Sequence, residues 1–167
     1  NENGMTSYDV WELDEMLRCA EENHVIFTVH QNRRMDEDFR IMKKIYDGNM
    51  LDGVFRVESR VQGSRGIADT WRRRKEHGGG MLYDWGVHLI DQMVNIADDR
   101  KIEKVYCRCD HLTNDEVDDG FKLDLFFERG LIGHIEVSTR NFIALPRFLM
   151  AGMDGTAIIN DWRDKTK

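Results

Sequence analysis

Asp84 and His88 stand four residues apart, just behind three consecutive glycines. The segment reads Gly78-Gly79-Gly80-Met81-Leu82-Tyr83-Asp84-Trp85-Gly86-Val87-His88-Leu89-Ile90-Asp91-Gln92. On a helix this spacing puts a carboxylate and an imidazole on one face. Such a pair suits acid–base chemistry, because the carboxylate orients the ring and stabilises its protonated form. The glycines allow close backbone approach at the mouth of the helix. Plainer readings stand beside this one: the same spacing serves surface pairs and caps, and a glycine run also makes an ordinary loop.

The elements that must position these residues follow from periodicity. Tyr8 to Asn23 carries Val10, Leu13, Leu17 and Ala20 at helical spacing, with Thr6 or Ser7 as N-cap. His24 to His30 is a short apolar run rich in β-branched residues and reads as a buried strand. A second helix is expected from Asp36 to about Gly48, with Phe39, Met42, Ile45 and Tyr46 as its stripe. Val54 to Val61 alternates with period two, and Gln62 to His77 reads as a long charged loop. A third helix is expected from Leu82 to Ala97, its stripe being Val87, Ile90, Val94 and Ala97. Beyond it lie alternating segments around Val105–Cys109 and Phe121–Phe127. Arg129-Gly130 then turns the chain into Leu131–Arg140, a hairpin signal, with short strands at Phe148–Met150 and Thr156–Ile159. Mixed elements followed by hairpins predict an α+β fold: a largely antiparallel open-faced sheet with helices on one side.

Composition narrows the function. The chain has 167 residues, 41% hydrophobic and 33% charged, and a net charge of -7. That is an ordinary globular composition with too little basic surface to favour nucleic acid or anionic membrane. No run approaches the roughly 20 apolar residues that span a bilayer, and Asn1-Glu2-Asn3-Gly4 does not resemble a secretion signal. Cys19, Cys107 and Cys109 are an odd set. Cys107 and Cys109 share one strand face and are expected reduced in a core, which implies a cytoplasmic setting.

The motif G-G-G-x-L-x-D-x-G-x-H-x-I-D resembles the signature of the glucose–fructose oxidoreductase / inositol dehydrogenase / rhizopine-catabolism (Gfo/Idh/MocA) family. Val29 to Phe39, Asn49 to Ser59 and Gly152 to Trp162 are similar to the same family, in order and with fitting spacing. The resemblance implies that residues 1–32 are the remnant edge of a dinucleotide-binding domain. It makes residues 33–167 a substrate-binding and oligomerisation domain. It implies that His88 takes the proton of a sugar or polyol hydroxyl while hydride leaves for a nicotinamide, with Asp84 holding base and substrate. It places Asn32 and Arg33 near the nicotinamide and Trp71, Arg72 and Tyr83 at the sugar pocket. A solvated strand-end loop and a packing tryptophan are the structural alternatives for these two groups. NAD or NADP is expected in the full-length protein and none on this chain, with no metal. A homodimer or higher assembly is expected through the exposed sheet face.

Two departures accompany the resemblance. No G-x-G-x-x-G follows a strand and opens a helix, so the usual pyrophosphate cradle is missing. Where the family carries Glu-Lys-Pro, this chain has Glu2-Asn3-Gly4-Met5, and an amide at Asn3 cannot supply the lysine's charge. A fragment that neither binds cofactor tightly nor turns over alone is the expectation. A non-catalytic binding or dimerisation module is the alternative. A hydrolytic metal site at His77, Asp84, His88 and Asp91 matches no usual zinc spacing. The run Arg72-Arg73-Arg74-Lys75 reads as a solvated loop.

Overall fold

A computed structural model describes residues 10–98 and 100–161. The Glu2–Met5 departure, the Thr6/Ser7 cap and Trp162 lie outside the described residues, as does the chain end at Lys165–Lys167. Two compact units are present, residues 1–31 and 32–167.

In the first unit, helix α1 (Val10–Glu22) forms as its spacing predicts. The expected strand at His24–His30 does not. These residues adopt no regular element and Ile26 is 95% exposed. A strand exists only through the hydrogen bonds of a neighbour, and no described residue pairs with this run.

The second unit is a six-stranded open sheet in the order β2-β3-β4-β1-β5-β6. Its strands are β1 (Arg56–Gln62), β2 (Ile102–Asp110), β3 (Gly120–Phe127), β4 (Ile132–Ser138), β5 (Phe148–Ala151) and β6 (Thr156–Ile159). Every pairing is antiparallel except the central one between β1 and β4. The β3–β4 hairpin closes through Arg129 and Gly130, both at positive φ, 63° and 75°. One face of the sheet carries Val57, Phe121, Leu123, Leu125, Phe127, Ile135, Val137, Phe148 and Met150, all buried.

Two helices cover that face. Helix α2 (Glu37–Asp47) buries Phe39 and Met42, its first turn acidic and its last turn carrying Lys44, in keeping with the helix dipole. Helix α3 (Val87–Ala97) buries Leu89, Gln92, Met93, Ile96 and Ala97. Leu89, Met93 and Ile96 are fully enclosed, each contributing on the order of 1.5–3 kcal/mol. The expected stripe holds in part: Ala97 is buried and Ile90 packs against the core, but Val87 and Val94 are 42% and 40% exposed. Two apolar stripes overlap in this helix, and contact with the sheet selects the one containing Leu89 and Met93.

The expectation of buried cysteines is also corrected. Cys107 and Cys109 pair in register with the buried Leu123 and Phe121, on the core side of the sheet, yet both are exposed. Strand β2 is the sheet edge, whereas the helices pack on β1, β4 and β5. Among the described residues no helix is long and apolar enough to cross a membrane.

Candidate active site

The three glycines act through the loop before them. The Gly79 and Gly80 amides donate to the carbonyls of Arg74 and Arg72 at 3.0 and 2.9 Å. A Cβ on Gly79 would lie 2.5 Å from the Arg72 oxygen, and Gly80 has φ +106°. Only glycine lets the Arg72 loop lie this close to the helix start. The loop itself holds two 3-10 turns, Trp71–Arg73 and Lys75–His77.

The helix does not start as an α-helix. Leu82–Gly86 is a π turn leading into α3, a distortion often found at functional sites. It is pinned from the β2–β3 connection, where the Asp118 carboxylate accepts from the Leu82 amide at 2.9 Å. Burial raises the Asp118 pKa, partly offset by that bond.

Close packing of loop against turn brings Arg72 onto Asp84 in a two-point clamp, Nε to Oδ2 at 2.6 Å and Nη2 to Oδ1 at 3.1 Å. Trp71 stacks behind, 4.6 Å from the guanidinium. Asp84 is thus committed to Arg72. Its effect on His88 is through-space: its charge raises the histidine pKa, as do Asp36 and Asp91. Burial, the largest influence, and the Arg33 guanidinium oppose them, and the net pKa lies below the ordinary value of 6.5. The ring therefore favours its neutral, proton-accepting form. Its Nδ1 is buried without a hydrogen-bond partner among the described residues, and Trp85 meets the ring edge-on at 6.5 Å.

Arg33 sits in a 3-10 turn (Asn32–Met35), its guanidinium 4.4 Å from the Trp85 ring centroid and 2.9 Å from Asp36. Beside it, Arg34 clamps Asp91 at 2.8 and 2.5 Å. A cleft of about 230 Å³ opens on the Arg72–Asp84 side of Trp85, walled by Val61, Gln62, Arg72, Asp84, Trp85 and Thr139 among others, with His88 and Arg33 outside its lining.

The fold thus gathers Asp84, His88, Arg72 and Arg33 around the π turn, with Trp71 as backing for Arg72. Tyr83 points outward, 58% exposed, and Asn32 is exposed at the start of its turn. Sequence reasoning overlooked Trp85, which joins the Arg33 and His88 sides of the site, although it lies inside the motif. It also overlooked Gln62, at the end of β1, and Thr139, just beyond β4, which reach the cleft and carry no local signal. Among the described residues no three His, Cys, Asp or Glu side chains group in a way that holds a metal ion.

The comparisons with known proteins agree with this architecture. Residues 39–158 match the model for the GFO/IDH/MocA C-terminal domain. A curated relative, scyllo-inositol 2-dehydrogenase (NADP(+)) IolW of Bacillus subtilis, is 31% identical over 86 residues, 51% of this chain and 24% of its own. An uncharacterized oxidoreductase of Schizosaccharomyces pombe is 36% identical over 87 residues, again 51% of this chain and 24% of its own. The crystal structure of an NAD-binding protein from Listeria innocua superposes with TM-score 0.83 at 45% identity, covering 91% of this chain and 43% of that one. The chain thus spans about a quarter of the curated relatives' length and under half of that structure. By its sheet, its helix cover and the match over residues 39–158, this chain belongs to the GFO/IDH/MocA family through the C-terminal domain.

Proposed function

We propose that residues 33–167 form the substrate side of an NAD(P)-dependent oxidoreductase acting on a sugar- or polyol-like secondary alcohol, and that residues 1–32 belong to the edge of the cofactor domain. The observation that carries this reading is a clamped carboxylate, Asp84, in the wall of a cleft, with the partly buried His88 one turn further along the helix and held against Trp85 of the same wall. In this reading His88 accepts the hydroxyl proton. Arg72 and Asp84 present donors and an acceptor to neighbouring hydroxyls, and the flat faces of the cleft tryptophan suit a sugar's C–H surface.

The residues of this chain would serve one end of the cofactor only. In this reading Arg33 and Asn32 would offer polar groups to the nicotinamide carboxamide, while the sequence carries no glycine-rich cradle for a pyrophosphate. The nicotinamide, held elsewhere, would accept the hydride. The supporting names are those of relatives: one is a scyllo-inositol 2-dehydrogenase using NADP(+), another is called NAD-binding.

The test is oxidation of inositols and aldoses with NAD and with NADP, followed at 340 nm, by the protein carrying this domain beside its nucleotide-binding domain. His88→Ala is expected to lower kcat by about 10²–10⁴, the range of a lost general base. Full activity in that variant refutes the assignment. The isolated chain is expected to show neither turnover nor tight cofactor binding.

A second reading concerns assembly, with the outer sheet face pairing two copies. That face carries Tyr106, Phe126, Ile132 and Leu149 among ion pairs such as Arg60–Glu136 at 3.4 Å, and Tyr106 is 55% exposed. Light scattering decides it: a monomer at micromolar concentration removes the proposal.

A further inference from the structure

Arg147 is the most deeply buried arginine among the described residues, 5% exposed, just ahead of β5 and away from the cleft. Its guanidinium lies 3.1 Å from Asp38, donates to the Ser59 hydroxyl and to Gln92 Oε1 at 3.1 Å, and covers the Phe148 ring at 4.3 Å. Burial draws its pKa down to about 10. An apolar side chain of similar volume would fill this space without desolvating a charge.

An apolar residue could not orient Gln92, however. Arginine carries donors only, so Gln92 must turn its oxygen toward it, and the amide NH2 then points the other way. That NH2 donates to the Arg33 carbonyl at 2.7 Å. Gln92 lies one helical turn beyond His88 on α3 and is 1% exposed, so it has little freedom to choose otherwise. The anchored carbonyl belongs to the turn from which the Arg33 side chain reaches Trp85 and Asp36.

We propose that Arg147 is a positioning residue: through Gln92 and the Arg33 carbonyl it sets where the Arg33 guanidinium stands relative to His88. It touches neither the cleft nor the reacting groups. The idea rests on the reading of His88 as acid–base residue. Four charged groups face that ring: Arg33 from the 3-10 turn, Asp36 ahead of α2, Asp84 from the π turn and Asp91 from α3 itself. Only Arg33 is positive, so its displacement has a defined sign.

The test is an NMR titration of the histidine rings in the folded chain, with the His88 signal assigned by its loss in His88→Gln. In Gln92→Met the link is cut while Asp38 and Ser59 still hold Arg147. The His88 pKa is expected to rise by roughly 0.4–0.8 units, the effect of moving one charge a few ångströms away in a partly solvated site. Arg147→Met is expected to give the same rise, and Ser59→Ala none. In an Arg33→Met background Gln92→Met should add nothing. An unchanged His88 titration in folded Gln92→Met, or an equal shift with Arg33 absent, overturns the proposal. If Arg147→Met does not fold, Gln92→Met still decides it. No turnover is measured, so an active His88→Ala enzyme would sink the catalytic reading and leave this measurement standing.

Discussion

Gly79→Ala tests the claim that the glycine run exists to seat the Arg72 loop. A Cβ there lies 2.5 Å from the Arg72 carbonyl oxygen and 2.7 Å from that of Arg74, both backbone atoms. Neither can swing aside as a side-chain tip would, so the loop itself must move. Overpacking of this kind costs about 1–3 kcal/mol. Moving the loop also loosens the clamp on Asp84. Charge-assisted bonds contribute up to about 3 kcal/mol when buried, but the Arg72 side chain is 35% exposed, so about 1 kcal/mol is appropriate. The sum is about 3 kcal/mol. With a urea dependence near 2 kcal/mol per molar, the unfolding midpoint should fall by about 1.5 M. Urea titration followed by tryptophan fluorescence reads this directly, since Trp71 and Trp85 flank the loop. Gly63→Ala is the control: nothing lies within 4 Å of its added Cβ, so its stability should change by no more than about 0.5 kcal/mol and its midpoint by no more than about 0.25 M. Equal midpoints for the two variants would refute the close-approach reasoning.

Three further outcomes concern the site. Asp84→Asn removes the counter-charge of Arg72 and should lower kcat/KM with polyol substrates by about tenfold or more, with stability falling by about 1 kcal/mol; steady-state kinetics beside urea melts check both, and an undiminished kcat/KM argues against a role for the clamp. Because His88 must be neutral to accept a proton, the rate should fall as pH drops through its pKa, below 6.5. In that window the unfolded chain binds the extra proton, so stability also decreases as pH falls. Arg33→Met should move the acid limb of the rate profile upward, and a limb unmoved would separate Arg33 from His88.

Much of the framework is local and therefore legible from residue order. Period-two alternation locates β1 to β4 within a few residues; β1, β3 and β4 bury one face and wet the other, while β2 keeps the alternation of residue types although both its faces are exposed. Arg129-Gly130 marks the hairpin because glycine readily takes the positive φ that the turn requires at Gly130. The Gly-Gly-Gly-x-x-x-Asp-x-x-x-His spacing likewise brings its carboxylate and ring to one helix start. What residue order leaves open are choices between equivalent local patterns. The α3 sequence offers two apolar stripes, and only contact with the sheet selects Leu89, Met93 and Ile96 over Val87 and Val94. Cys107 and Cys109 alternate like core residues, yet an edge strand without helix cover leaves them exposed. His24–His30 has a strand's composition and no partner among the described residues.

The site divides in the same way. Asp84 and His88 are four residues apart, so their spacing puts both at one helix start, although Asp84 turns to Arg72 there. Arg72 is twelve residues from Asp84, Arg33 is fifty-nine from Gln92, and Gln92 is fifty-five from Arg147. Contacts across such separations depend on how the sheet, the 3-10 turn and the helices pack, and that packing is a property of the folded chain as a whole. Sequence therefore determined which groups stand ready to do chemistry; tertiary structure decided which charges surround them, and hence the protonation state in which they wait.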